Sequence, residues 1–158
     1  MRYEFARVLT ALAEKDPLIY LLTGDVGGAL FDPFRAKCPG RHIEIGVAEQ
    51  SMVGMAAGMA MAGLRPVVYT ITPFLIERAF EQIKLDVHCQ KVPVGLVGYS
   101  GYPTYGPSHI ELDAPKLMSL VTNIRGLYPE QNGDVERMLS ELDFNKPWFL
   151  SLKKAPTK

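Results

Sequence analysis

The chain has 158 residues with 17 basic and 17 acidic side chains, so its formal net charge is zero and it carries no electrostatic footprint for nucleic acid or an anionic membrane. A hydrophobic share of 47% and a charged share of 22% describe a globular domain of ordinary size with enough chain to bury a core. The opening Met1-Arg2-Tyr3-Glu4-Phe5-Ala6-Arg7 is too charged for a signal peptide, no uncharged apolar run approaches the roughly 18 residues of a membrane span, and Cys38 and Cys89 are too few for a disulfide framework or a metal knuckle, so a cytoplasmic protein with no membrane partner is expected.

In chain order, Phe5, Val8, Leu9 and Leu12 recur at helical spacing and predict an amphipathic helix over 2–15, stopped by Asp16-Pro17. The apolar run 18–22 predicts a buried strand that ends in the glycine-rich Thr23-Gly24-Asp25-Val26-Gly27-Gly28, and a short helix over 29–37 follows. A strand over 41–45 leads into Gly46-Val47-Ala48-Glu49 and a helix over 49–62, whose spacing of Met52, Met55, Ala56 and Met59 predicts burial on most sides. Gly54 and Gly58 each cost about 1 kcal/mol in a helix interior, which predicts a second backbone close by.

The pattern continues with a strand over 67–71, a helix over 74–87, a strand over 92–98 and a long loop over 99–111 rich in Gly, Pro, Ser and Tyr. A helix over 114–121, a strand over 123–128, a helix over 134–142 and a strand over 147–152 complete it. About six strands alternating with helices predict an α/β fold, a single open, mostly parallel sheet covered on both faces.

Such sheets bind ligands at the carboxyl ends of their strands, where the predicted loops collect Asp25, Glu49, Phe74 and His109. The glycine cluster at 24–28 lacks the register of a dinucleotide fingerprint or a P-loop and reads as a tight turn. An acid in a first helical turn is accounted for by the macrodipole alone. At Glu49, however, Ile45, Val47 and Met52 make an apolar setting in which a carboxyl group can share or donate a proton. His109 lies in the long loop and is a site candidate, whereas His42 and His88 suit surface or structural roles. Phe74, Arg78 and Phe80 share the first turns of one predicted helix, Tyr99, Tyr102 and Tyr105 line or cover the pocket, and the methionines of 52–61 read as core.

Taken together, these blocks resemble the pyrimidine-binding domain of transketolase-like thiamine diphosphate enzymes, deoxyxylulose phosphate synthase included. Collinear with that family are Gly24-Asp25, Ile45-Gly46-Val47-Ala48-Glu49-Gln50, Ala57-Gly58-x-Ala60-x-Ala62-Gly63, Phe74-Leu75, Arg78-Ala79-Phe80-Glu81-Gln82-Ile83, Gly106-Pro107-Ser108-His109 and the closing Pro147-Trp148-Phe149-Leu150-Ser151-Leu152. The resemblance implies thiamine diphosphate as cofactor. Glu49 would bond a ring nitrogen of its aminopyrimidine and favour the imino tautomer, whose nitrogen takes the thiazolium proton to give the ylide. By the same carry-over, Val47, Phe74 and Phe80 would pack near the pyrimidine, Arg78 would hold the rim or bond the ring, Asp25 would lie on the thiazolium side, and His109 would contact a substrate oxygen on which charge develops.

Departures from the pattern shape the remaining expectations. The acidic pair that precedes Gly-Pro-Thr-His in the family is replaced by Pro103-Thr104-Tyr105, and a usual serine is missing from Gly27-Gly28-Ala29-Leu30, which puts the sugar substrate in question. Gly24-Asp25 is followed by Val26 and the first asparagine is Asn123, so the Gly-Asp-Gly and asparagine that hold the diphosphate and Mg²⁺ in the family have no counterpart. The chain therefore reads as a single pyrimidine-binding domain over 1–158, without a diphosphate-binding or C-terminal transketolase domain and with no metal ligands of its own; Met1 and the basic tail favour a natural subunit over a cut piece. The expected partner is a diphosphate-binding subunit, two copies of each chain forming a heteromer that transfers a ketol group from a ketose. The alternatives are a decarboxylative 2-oxo acid carboligase subunit and a non-catalytic scaffold.

Overall fold

The computed structural model describes residues 1–100 and 106–153. Six strands, β1 (Ile19–Thr23), β2 (His42–Glu44), β3 (Arg65–Ile71), β4 (Gly95–Tyr99), β5 (Arg125–Leu127) and β6 (Trp148–Leu152), form one sheet in the order β2-β1-β3-β4-β6-β5. Every pairing is parallel. The central strands β1, β3, β4 and β6 are almost entirely buried because both of their faces are covered, and Thr23, Thr70 and Ser151 are buried with the apolar residues.

The helices are α1 (Arg2–Lys15), α2 (Asp32–Lys37, entered through a tight turn over Gly28–Phe31), α3 (Glu49–Met61), α4 (Thr72–Ile76), α5 (Phe80–Gln82), α6 (Ala114–Met118) and α7 (Asn132–Ser140). Right-handed crossovers dictate their sides. The steps from β1 to β2 and from β5 to β6 run in one direction across the sheet, and their helices, α2 and α7, join α1 on one face. The steps to β3, β4 and β5 run the other way and put α3, α4 and α6 on the opposite face. Strand parity divides the core accordingly, so that Leu21, Val67, Tyr69, Val97 and Leu150 point to the α1 face and Leu22, Val68, Leu96 and Phe149 to the α3 face.

Three expectations are corrected. The helix over 74–87 is interrupted at Glu77–Ala79, and α5 runs on into a wide-turned segment, Ile83–His88. On α3, Met52 is buried but Met55 and Met61 are exposed, so this helix is covered on one side only. No second backbone approaches Gly54 or Gly58 among the described residues: a Cβ would meet only Asp86 Oδ2 at 3.9 Å from the first and nothing within 4 Å of the second. Close approach occurs instead at Gly95, where a Cβ would sit 2.3 Å from Cζ2 of the fully buried Trp148 on the neighbouring strand.

Candidate functional site

The sheet doubles back at β1, with β2 on one side and β3 on the other, so the connections leaving β1 and β3 diverge and open a crevice at their carboxyl ends. The link from β2 to α3 crosses this end. Ile45 N–H donates to Thr23 O at 2.9 Å, which holds the link against β1. Gly46 takes φ 77°, the left-handed region that a side chain disfavours, and Ala48 N–H closes the turn on Gly46 O at 2.9 Å. Val47 is thereby turned out to 70% exposure, and α3 begins at Glu49.

Glu49 is only 3% exposed, a degree of burial that dipole stabilisation of a surface acid does not require. A buried carboxylate has to find a partner. Arg78 Nη1 donates to Oε2 at 2.8 Å, while the Thr70 hydroxyl lies 3.5 Å from Oε1, at the outer limit of a hydrogen bond. Thr70 reaches this point because it shares strand parity with Val68 and so faces α3.

Arg78 belongs to the interruption between α4 and α5, and its guanidinium does two things at once. Besides bonding Glu49, its Cζ lies 4.1 Å from the centroid of the Phe74 ring, within cation–π range. Phe74 in turn meets the His109 ring edge-on, with centroids 4.9 Å apart and planes at 69°. His109 ends a short turn, Pro107–His109, and its Nδ1 lies 3.2 Å from Ser108 Oγ. Glu77, beside Arg78, accepts from Leu112 N–H at 2.9 Å and so ties the far limb of the histidine loop to the same interruption.

Thr70, Glu49, Arg78, Phe74 and His109 therefore form a continuous line of contacts. Of the other predicted site residues, Val47 stands at the rim, Asp25 is exposed just beyond β1, and Phe80 is half-buried against the core of the α3 face. Tyr99 does not line the crevice, since it is buried in the α1-face core with Arg2 Cζ 5.1 Å from its ring centroid. Tyr102 and Tyr105 lie outside the described residues. His42 and His88 have the structural roles expected of them: His42 Nε2 is 2.9 Å from Thr23 Oγ1, and His88 Nδ1 accepts from Asn123 N–H at 3.2 Å. Burial, reinforced by the nearby Arg35 charge, holds His42 below the ordinary imidazole range.

Thr70 and Glu77 were not singled out from sequence. A lone hydroxyl late in an otherwise apolar strand was the available signal for Thr70. Glu77 offered none, because its bond to Leu112 spans 35 residues. Among the described residues no three His, Cys, Asp or Glu side chains are grouped to hold a metal ion, and no helix is long and apolar enough to cross a membrane.

A family pattern, that of the transketolase pyrimidine-binding domain, matches residues 1–157. The 1-deoxy-D-xylulose-5-phosphate synthase of Picosynechococcus sp. is 37% identical over 143 residues, which is 85% of this chain and 22% of that enzyme. Among solved structures, a split gene transketolase described as an inactive β4 tetramer superposes with a TM-score of 0.84 at 25% identity, over 99% of this chain and 52% of the other. Transketolase from Leishmania mexicana gives 0.81 at 20% identity, over 96% of this chain and 25% of its own, a likeness of fold. The parallel six-stranded sheet and a match over nearly the whole length agree, and the chain belongs to the transketolase pyrimidine-binding domain family.

Proposed function

We propose that this chain is one subunit of a split, thiamine diphosphate-dependent transketolase-like enzyme that transfers a ketol group, with the diphosphate and its Mg²⁺ held by a partner polypeptide. The observation that carries the reading is Glu49, a carboxylate withdrawn from water at the carboxyl end of the sheet and joined through Arg78 to the Phe74 ring. A carboxyl group that can share a proton, set in an apolar wall near an aromatic face, fits the aminopyrimidine end of the cofactor, which is planar and aromatic and carries acceptor ring nitrogens beside one amino group.

When bound, thiamine diphosphate supplies the carbon nucleophile. In this reading Glu49 holds a proton-sharing contact at the pyrimidine nitrogen, Phe74 packs on the ring, and Val47 closes over it from the rim. Phe80 supports the packing from below, Asp25 faces the thiazolium side, and His109 offers a ring nitrogen to the substrate oxygen. Gly24-Asp25-Val26 lacks the family's diphosphate and metal signature, which supports placing that function on the partner. The split gene transketolase, solved as an inactive tetramer of its β chain, supports the same division of labour.

The test is reconstitution with a co-expressed chain that carries the Gly-Asp-Gly segment, followed by a ketol-transfer assay. Glu49→Ala is expected to lower turnover by at least a hundredfold, and undiminished turnover would sink the assignment. A second reading has support of its own: the Picosynechococcus relative is named a 1-deoxy-D-xylulose-5-phosphate synthase, and the family's sugar-contacting acid is replaced by Pro103-Thr104-Tyr105. Here the reaction is decarboxylative carboligation of a 2-oxo acid. Donor competition decides between them, as pyruvate consumption with ketose phosphates inert selects the second.

A further inference from the structure

The Glu49 carboxylate and the face of Phe74 are the two features that fit a pyrimidine ring, and in this structure both are engaged by one group of the chain itself. Arg78 offers a flat, donor-bearing cation, bonded to Oε2 at 2.8 Å with its Cζ 4.1 Å from the Phe74 centroid. Its flat shape and N–H donors match those of an aminopyrimidine that carries a proton on a ring nitrogen. Two planar groups cannot occupy one ring face and one carboxylate edge together.

The guanidinium is also able to leave. Arg78 sits on the interruption between α4 and α5, and its side chain is 41% exposed, so rotation about its own torsions carries the charge into water without opening the core. Its partner cannot follow, because Glu49 is fixed at the first turn of a helix packed through Met52, Val53 and Ala56. Among the described residues Glu49 has one other polar contact, the Thr70 hydroxyl at 3.5 Å.

Resting on the functional reading above, we propose that Arg78 is an internal competitor for the pyrimidine site, a guanidinium gate that covers Glu49 and Phe74 in the free chain and swings out when an aminopyrimidine enters. A gate of this kind keeps the buried carboxylate paired while the subunit is unloaded and lowers the apparent affinity by the fraction of time it is closed. For one charge-assisted hydrogen bond with ring stacking, that reduction is on the order of tenfold.

The experiment is a titration of the full chain with 4-amino-2,5-dimethylpyrimidine, followed by NMR with ¹⁵N-labelled arginine. Three results are expected. The Arg78 guanidinium signals, slowed by the Glu49 contact in the free chain, become those of a freely rotating group at saturation; Arg78→Met binds the probe about tenfold more tightly than wild type; and Arg78→Lys falls between them. Wild-type binding that Arg78→Met weakens or leaves unchanged, with the guanidinium signals still restrained at saturation, overturns the gate and leaves the functional reading standing. Absence of binding to wild type and both variants overturns the gate together with that reading. Should Arg78→Met fail to fold, the wild-type signals and the lysine variant decide.

Discussion

Removing either partner of the Glu49–Arg78 pair breaks the same 2.8 Å bond, yet the two losses are expected to differ severalfold. Arg78→Met leaves a carboxylate at 3% exposure whose one remaining polar contact among the described residues is a hydroxyl at 3.5 Å, so most of the desolvation of the charge goes uncompensated. Stranding a buried charge of this kind costs about 2–4 kcal/mol. Glu49→Gln strands nothing comparable: the half-exposed guanidinium turns to water, and the amide keeps the shape and an acceptor, giving a change within about 1 kcal/mol. In a domain of this length the first substitution lowers Tm by about 5–15 °C and the second by less than about 4 °C. The assay is urea denaturation of both single variants and the Glu49→Gln/Arg78→Met double variant, read as a mutant cycle. The double variant should recover most of the Arg78→Met loss, since its buried group is neutral. Equal losses in the two single variants, or a double variant no better than Arg78→Met, would refute the reasoning.

Gly95→Ala should be among the most damaging small substitutions outside the site, because its Cβ would lie 2.3 Å from the Trp148 ring and both strands are central. Overpacking of this kind costs about 1–3 kcal/mol or more, visible as a lower urea midpoint at an unchanged m-value. His42 predicts a pH dependence whose sign follows from its lowered folded-state value: the unfolded chain binds the proton more readily, so the stabilisation is complete above the ordinary 6.5 and is lost as pH falls through the lowered value. Urea midpoints of wild type should fall on acidification across this window more steeply than those of His42→Gln, and parallel curves would contradict the assignment. Glu77→Ala should speed hydrogen exchange at the Leu112 amide by at least tenfold, with Glu77→Gln close to wild type because its side-chain carbonyl can still accept the bond.

What could be read from sequence, and what could not, divides along the range of the interactions involved. The strands were legible because runs such as 18–22 and 147–152 are apolar on both faces, and parallel order followed from their alternation with helices. The place of Glu49 at the start of α3, after an apolar strand, was legible from the sequence and from a collinear family pattern. The interruption at Glu77–Ala79 was not, because all three residues are good helix formers and the apolar spacing of Leu75, Ala79, Ile83 and Val87 runs straight across it. Bonds to Glu49 and Leu112, 29 and 35 residues away, accompany the break where local propensity favours continuity. The exposed side of α3 was misread for the opposite reason: methionine, alanine and glycine are apolar or neutral all round a helix, so composition carried no phase from which to tell the covered side.

The parity of β3 has a consequence for anyone who would redesign this site. Tyr69 and Thr70 are adjacent in sequence, yet one belongs to the aromatic core with Phe5 and Phe31 and the other looks at Glu49. Inserting one residue before Tyr69 within β3 drives the phenol ring against the glutamate and puts Val68 between the two phenylalanines, whereas deleting one puts Thr70 between them and Ile71 against the glutamate. The strand thus transmits length changes as all-or-none swaps. Gradual tuning of the pocket has to come from substitutions at Thr70 itself or from the turn at Glu77–Ala79 beyond α4, where an altered length inverts no strand face.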